Sequence, residues 1–126
     1  MRALSLVVLL TLLPSVAMAQ TVSVTNSSPP EAKLASVDAR SKVVQQSTVR
    51  QYASLLDDLD RKCKENRTQI GDFAAKGVQL LAEKKVTMTH LKFMQSMNGA
   101  MPEGSETLEL SCAEIAALLV TMIDRQ

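Results

Sequence analysis

One stretch of this 126-residue chain gathers the residue types that most readily do chemistry together. His90, Met94, Met97 and Met101 follow one another at steps of four, three and four, which on a helix sets an imidazole and three thioethers on one face. Soft thioether and imidazole donors suit Cu(I), so one reading is a small-ligand or Cu(I) carrier. The plainer reading is core filling, for which methionine's flexibility is well suited, with a partly exposed histidine beside it. Gly99 and Pro102 favour a helix end before Met101, which argues for the second reading.

Catalysis has less support. His90 is the chain's one histidine, and no Ser-x-x-Lys, His-Glu-x-x-His, Gly-x-Ser-x-Gly or glycine-rich phosphate loop occurs. No catalytic residue and no cofactor is expected, and the chain reads as a non-enzyme. Asp57, Asp58 and Asp60 cluster, but they lack the glycine turn and terminal glutamate of a calcium loop. Each precedes a base by four residues, at Arg61, Lys62 and Lys64, which predicts an ion-paired helix face. The sequons at Asn26 and Asn66 matter only in a host that glycosylates exported proteins.

Compartment is read from the first residues. Arg2 is a short positive region, Ala3 to Leu13 an apolar one, Pro14 breaks it, and Ala17-Met18-Ala19 offers a small-x-small cleavage pattern before Gln20. A signal peptide over 1–19 is expected, cut after Ala19, with a periplasmic or extracellular destination. The apolar run is too short to span a bilayer, and no transmembrane segment is expected in the remainder. In an oxidising space Cys63 and Cys112 form one structural disulfide. With a sequence separation of 49, loop-closure entropy assigns that bond roughly 4 kcal/mol. Removing Arg2 from the 14 basic residues leaves 13 against 13 acidic ones. A balanced chain lacks the basic surplus that phosphate binding requires, so a nucleic-acid partner is excluded.

The elements that hold these residues follow from periodicity. With 46% hydrophobic residues but one Tyr, two Phe and no Trp, the core must be built from Leu, Val, Ile, Ala and Met, a helical palette. Gln20 to Pro30 show no period beyond four residues and read as a flexible tether. Residues 31–126 read as a single helical domain. Ser28 and Glu31 are spaced as a capping box, and 31–46 is helix-compatible through about Gln46, weakly amphipathic and expected to pack loosely, with Leu34, Val37 and Val44 its main apolar positions. Val49, Tyr52, Leu56, Leu59 and Cys63 form a clear stripe, widened by Leu55. Asn66 or Thr68 caps a helix over 68–84 whose polar residues occupy one narrow stripe, making it the central helix. Gly71 and Gly77 on it imply close packing. Thr87 or Thr89 starts a short helix to about Asn98, a loop follows through Gly104, and Ser111 with Glu114 begins a last helix. The fold class is all-α, a small bundle of four or five helices stapled by one disulfide.

The last helix carries the argument for a partner. Cys112, Ile115, Ala116, Leu119 and Ile123 face inward, yet Leu118, Ala117 and Thr121 leave the outward side poor in charge, as a binding face would be. Small exported size, helical character and one long-span disulfide resemble the organisation of periplasmic acid-stress chaperones. No motif is shared, so no residue role carries over. The expectation is a noncatalytic interaction module, chaperone-like or inhibitor- or adaptor-like, whose partner is an envelope or extracellular protein or a second copy of itself.

Overall fold

The computed structural model describes residues 20–102, 104 and 109–125. The expected leader, 1–19, lies outside them. Among the described residues the chain runs β1 (Thr21–Ser23), α1 (Pro30–Ala39), β2 (Val43–Gln45), α2 (Gln46–Lys62), α3 (Arg67–Glu83), α4 (His90–Ala100) and α5 (Cys112–Asp124). The expectation of a helical bundle with a Cys63–Cys112 bond holds, and a small sheet is added to it. None of the described helices is long and apolar enough to cross a membrane.

The sheet lies where a tether and a continuing helix were expected. β1 pairs antiparallel with β2, Val22 opposite Val44. The Val24 amide to the Lys42 carbonyl and the Gln46 amide to the Gln20 carbonyl extend the ladder at either end. Val44 is buried and Val22 half-buried. A three-residue strand carries one inward side chain, too few to show a period.

Helix α1 stops at Ala39 rather than near Gln46. Arg40 turns into the left-handed region at φ 53°, and Arg40 and Ser41 donate back to the Val37 and Ser36 carbonyls, the paired bonds that close a helix C-terminus. The helix is packed, not loose: Ala32, Leu34 and Ala35 are buried against α2, α3 and α4, while Val37 is exposed. Its expected capping box does not form. Pro29 occupies the cap position, the Ser28 hydroxyl accepts from the Thr25 amide at 2.8 Å, and Glu31 reaches Arg67 of α3 at 3.5 Å. Pro30 at the first helical position has no N–H to satisfy, which removes much of the need for a cap.

Helix α2 buries Tyr52, Leu56, Leu59 and Cys63, with Val49 and Leu55 half-buried at the edges. Its predicted i,i+4 pairs give way to others. Asp58 pairs with Arg61, Asp57 with Arg67, and Lys62 Nζ donates to Asn98 Oδ1 of α4 at 2.9 Å. Where a neighbouring helix offers a partner, a long side chain gains more from that contact than from an exposed pair on its own helix.

Helix α3 is central, as its composition implies, and contacts all four other helices. Asn66 caps it through a reciprocal box: Asn66 Oδ1 accepts from the Gln69 amide at 2.9 Å, and Gln69 Oε1 from the Asn66 amide at 3.1 Å. Its two glycines differ. A methyl group at Gly77 would overlap the Phe93 ring of α4, whereas one at Gly71 would sit 3.6 Å from Leu34 Cδ1, an ordinary contact. Close packing therefore explains Gly77 alone.

Gly71→Ala is expected to stabilise the protein by about 0.5–1 kcal/mol, the helix-propensity gain. Gly77→Ala is expected to destabilise it by about 1–3 kcal/mol through overpacking. Urea denaturation of both variants tests this, and a stabilising Gly77→Ala would contradict the packing account.

Candidate functional site

Two faces of the bundle bring polar and apolar groups together at accessible positions. The first is a groove of about 380 Å³ between α3 and α5. Phe73, Lys76, Gly77 and Leu80 form one wall, and Ala113, Ala116, Ala117 and Val120 the other. The groove exists because five of these eight side chains are glycine, alanine or valine, so the two helices approach without filling the space between them. Lys76 is its single charged lining residue. Leu80 on its α3 wall is exposed, and on the side of α5 turned away from the groove Leu118 is 60% exposed and Met122 59%, one helical turn apart.

The structure thus places the three predicted partner-binding residues together on one helix. Ala117 lines the groove, Leu118 is exposed but turned away from it, and Thr121 is exposed with its hydroxyl donating to the Ala117 carbonyl at 3.2 Å. Met122 belongs to the same surface as Leu118 and was missed. Its i,i+4 relation to Leu118 was the available signal.

The second face involves His90. Asp38, near the end of α1, accepts from the His90 amide at 2.9 Å, the Leu91 amide at 3.2 Å, the Tyr52 hydroxyl of α2, and His90 Nδ1 at 2.6 Å. Because an ionised carboxylate can only accept, Nδ1 is the donor to Asp38, and in the neutral tautomer so fixed Nε2 is the nitrogen left as acceptor. His90 is nearly buried, and what remains of its surface lines a cleft between α1 and α3. Met94, Met97 and Met101 belong instead to the hydrophobic core with Phe93, and none of them lines that cleft. The four residues proposed for Cu(I) share a helix face but no common open cavity. Helix α4 continues to Ala100, past Asn98, with Met101 at its cap, and Thr89 starts it by accepting from the Lys92 amide.

The third cluster surrounds the disulfide. Cys63 and Cys112, with Cα atoms 5.5 Å apart, join the end of α2 to the start of α5. Reciprocal backbone bonds support them, from the Lys64 amide to the Leu110 carbonyl at 2.9 Å and from the Leu110 amide to the Lys62 carbonyl at 3.1 Å. Glu65 then reaches the α5 N-terminus, accepting from the Cys112 amide at 2.9 Å, the Ala113 amide at 3.4 Å and the Ser111 hydroxyl at 3.1 Å. Ser111 Oγ accepts from the Glu114 amide at 3.4 Å. Half of the expected capping box is thereby present, and Glu65 completes the rest from another element. Cys63, Glu65 and Cys112 lie close enough to suggest metal ligation, but a disulfide supplies no thiolate, the form in which sulfur binds metals. The chemistry of this corner is structural.

Partial burial works against the charged form of Glu65, yet the Cys112 and Ala113 amides and the Ser111 hydroxyl outweigh it and hold the carboxyl below its ordinary 4.5. The helix N-terminal dipole acts in the same direction. Neither Asp38 nor Glu65 shows its role locally. Asp38 meets a residue 52 positions away, and Glu65 follows a helix end with no pattern of its own. Pairing Cys63 with Cys112 was the one clue that brings Glu65, two residues on, beside the α5 cap. Compared with known protein families, characterised proteins and solved structures, the chain has no significant match.

Because the folded pKa of Glu65 is depressed, its stabilisation is present above pH 4.5 and is lost as pH falls through the lower folded value. Glu65→Gln is expected to cost about 1–2 kcal/mol near neutral pH, and the gap between the two proteins should close as the solution is acidified below pH 4.5. Denaturation midpoints across that range measure it. A gap independent of pH would remove the charged cap.

Proposed function

We propose that the protein is a noncatalytic helical interaction module, exported and oxidised, that grips an amphipathic helix of an envelope or extracellular protein in the groove between α3 and α5. Activity of a chaperone, inhibitor or adaptor kind fits this reading equally. The observation that carries it is the groove itself: an apolar trough walled by Phe73 and Leu80 on α3 and by Ala113, Ala116, Ala117 and Val120 on α5, with Lys76 as its single charged lining residue. The small wall residues leave room for large apolar side chains, the arrangement typical of binding anchors. Lys76 favours a carboxylate at the edge of the partner's apolar face, which orients the partner more than it adds affinity.

A helix laid in this groove would cover Leu80, Ala113 and Ala117 together. None of the three has a role in the core, so their replacement leaves the bundle intact. The disulfide supports the same reading. It anchors the N-terminus of α5 at one end of the groove, so that wall is held in place before a partner arrives, which lowers the ordering cost of binding.

Ala117→Asp and Lys76→Glu are each expected to weaken binding of the natural partner at least tenfold, about 1.4 kcal/mol, with an unchanged helical spectrum. Lys33→Glu, on α1 and outside the groove, is the control and should bind normally. Native mass spectrometry of the protein with the partner it retains from its own extracytoplasmic compartment, followed by titration of the variants, checks this. Equal binding by all of them would exclude the groove.

A further inference from the structure

We infer that the cleft between α1 and α3 is a binding site for a small zwitterion with an apolar body, such as a free aliphatic amino acid, in which His90 Nε2 accepts a hydrogen bond from the ligand's ammonium group. This site is separate from the α3–α5 groove and does not rest on the function proposed for it.

Three observations converge. The first is the state of the histidine. Asp38 takes Nδ1 at 2.6 Å and fixes the ring through its further bonds to the His90 and Leu91 amides. The neutral tautomer that Asp38 selects has Nε2 as its acceptor, and no described residue hydrogen-bonds to that nitrogen. Only 10% of the His90 side chain is exposed, and it lines this cleft. A nearly buried acceptor left without a protein partner is costly unless water or a ligand serves it. A ring held in one tautomer by a carboxylate is prepared to bind rather than merely exposed.

The second is size and wall chemistry. The cleft encloses about 320 Å³, at the small end of the range for ligand sites, where apolar walls with a few convergent polar groups are the rule. Leu34 and Val37 of α1 and Ala75 of α3 supply the apolar walls. The third is charge. Lys33 on α1 and Asp72 on α3 both line the cleft, and neither takes part in an ion pair among the described residues. Opposite charges on facing walls that do not satisfy each other suit a ligand bearing both signs. Its carboxylate would meet Lys33, its ammonium would lie between Asp72 and Nε2, and its side chain would lie along Leu34 and Val37. A simple anion or cation would leave one of the two walls unmatched.

The chain's single histidine makes the test direct, since one imidazole resonance reports the cleft. Titrating the full oxidised protein with L-leucine at constant pH is expected to shift that resonance saturably, with a Kd of about 1 mM. N-acetyl-L-leucine, lacking the ammonium, and L-leucinamide, lacking the carboxylate, are each expected to bind at least tenfold more weakly. Asp72→Asn and Lys33→Gln, both exposed on helix surfaces, should each weaken L-leucine at least tenfold while leaving the helical spectrum unchanged. Absence of a saturable shift would overturn the site. Equal binding of the blocked compounds, or unchanged binding by both variants, would overturn the zwitterion assignment.

Discussion

An α-helix begins with amide N–H groups that its own backbone cannot satisfy, and burying them without partners is costly. Much of this fold answers that requirement. Helices α4 and α5 each start with a local cap, Thr89 and Ser111, and each also receives a carboxylate from a distant element. Asp38 closes the first turn of α4 and Glu65 that of α5. Each carboxylate therefore does two things at once: it satisfies orphan donors and fixes where a later helix begins relative to an earlier one. The position of α4 against α1 and that of α5 against the α2–α3 turn follow from these contacts. Hydrophobic burial drives the helices together but is indifferent to their registration.

Around these fixed points the packing is uneven. Between α3 and α4, Phe93 lies against Gly77 where no larger residue fits, in a core that also contains Met94 and Met97. Between α3 and α5 the same glycine meets a wall of alanines and space remains. Gly77 thus serves two neighbours with opposite consequences, a tight joint on one side and an open trough on the other. The methionine stripe that resembled a soft-metal site belongs to the tight side, where unbranched side chains adapt to irregular space.

What was legible in the sequence was local or strongly periodic. The α2 stripe from Tyr52 to Cys63 is buried, and the caps at Asn66, Thr89 and Ser111 lie at the starts of the expected helices because cap chemistry is decided within four residues. The chain's two cysteines have one another to pair with. The failures share a cause. Thr21–Ser23 is too short to show a period and exists as a strand only because Val43–Gln45 lies opposite. Ser28 had the right spacing for a box, but a proline pair at the helix start changed what needed capping. Asp57 and Asp58 had basic partners on their own helix and found others, one of them on α3. Asp38, the residue that gives His90 its setting, carries no local mark at all. The groove residues were partly visible, since Ala117 belonged to the charge-poor side of α5, but the opposite wall on α3 could be known only from packing.

The Cys63–Cys112 bond has one more consequence, which concerns force rather than free energy. It closes a loop of 49 positions that contains α3 and α4 entirely. If the two ends of the chain are pulled apart, tension passes from Cys63 directly to Cys112 and never loads the loop. Fully extended, that loop would contribute roughly 170 Å of contour, all of it withheld. Stretching can lengthen only the segments outside it, with α1, α2 and the sheet on one side and α5 on the other. The wall of the groove formed by α3 is thus mechanically sheltered, while the wall formed by α5 is the part that yields.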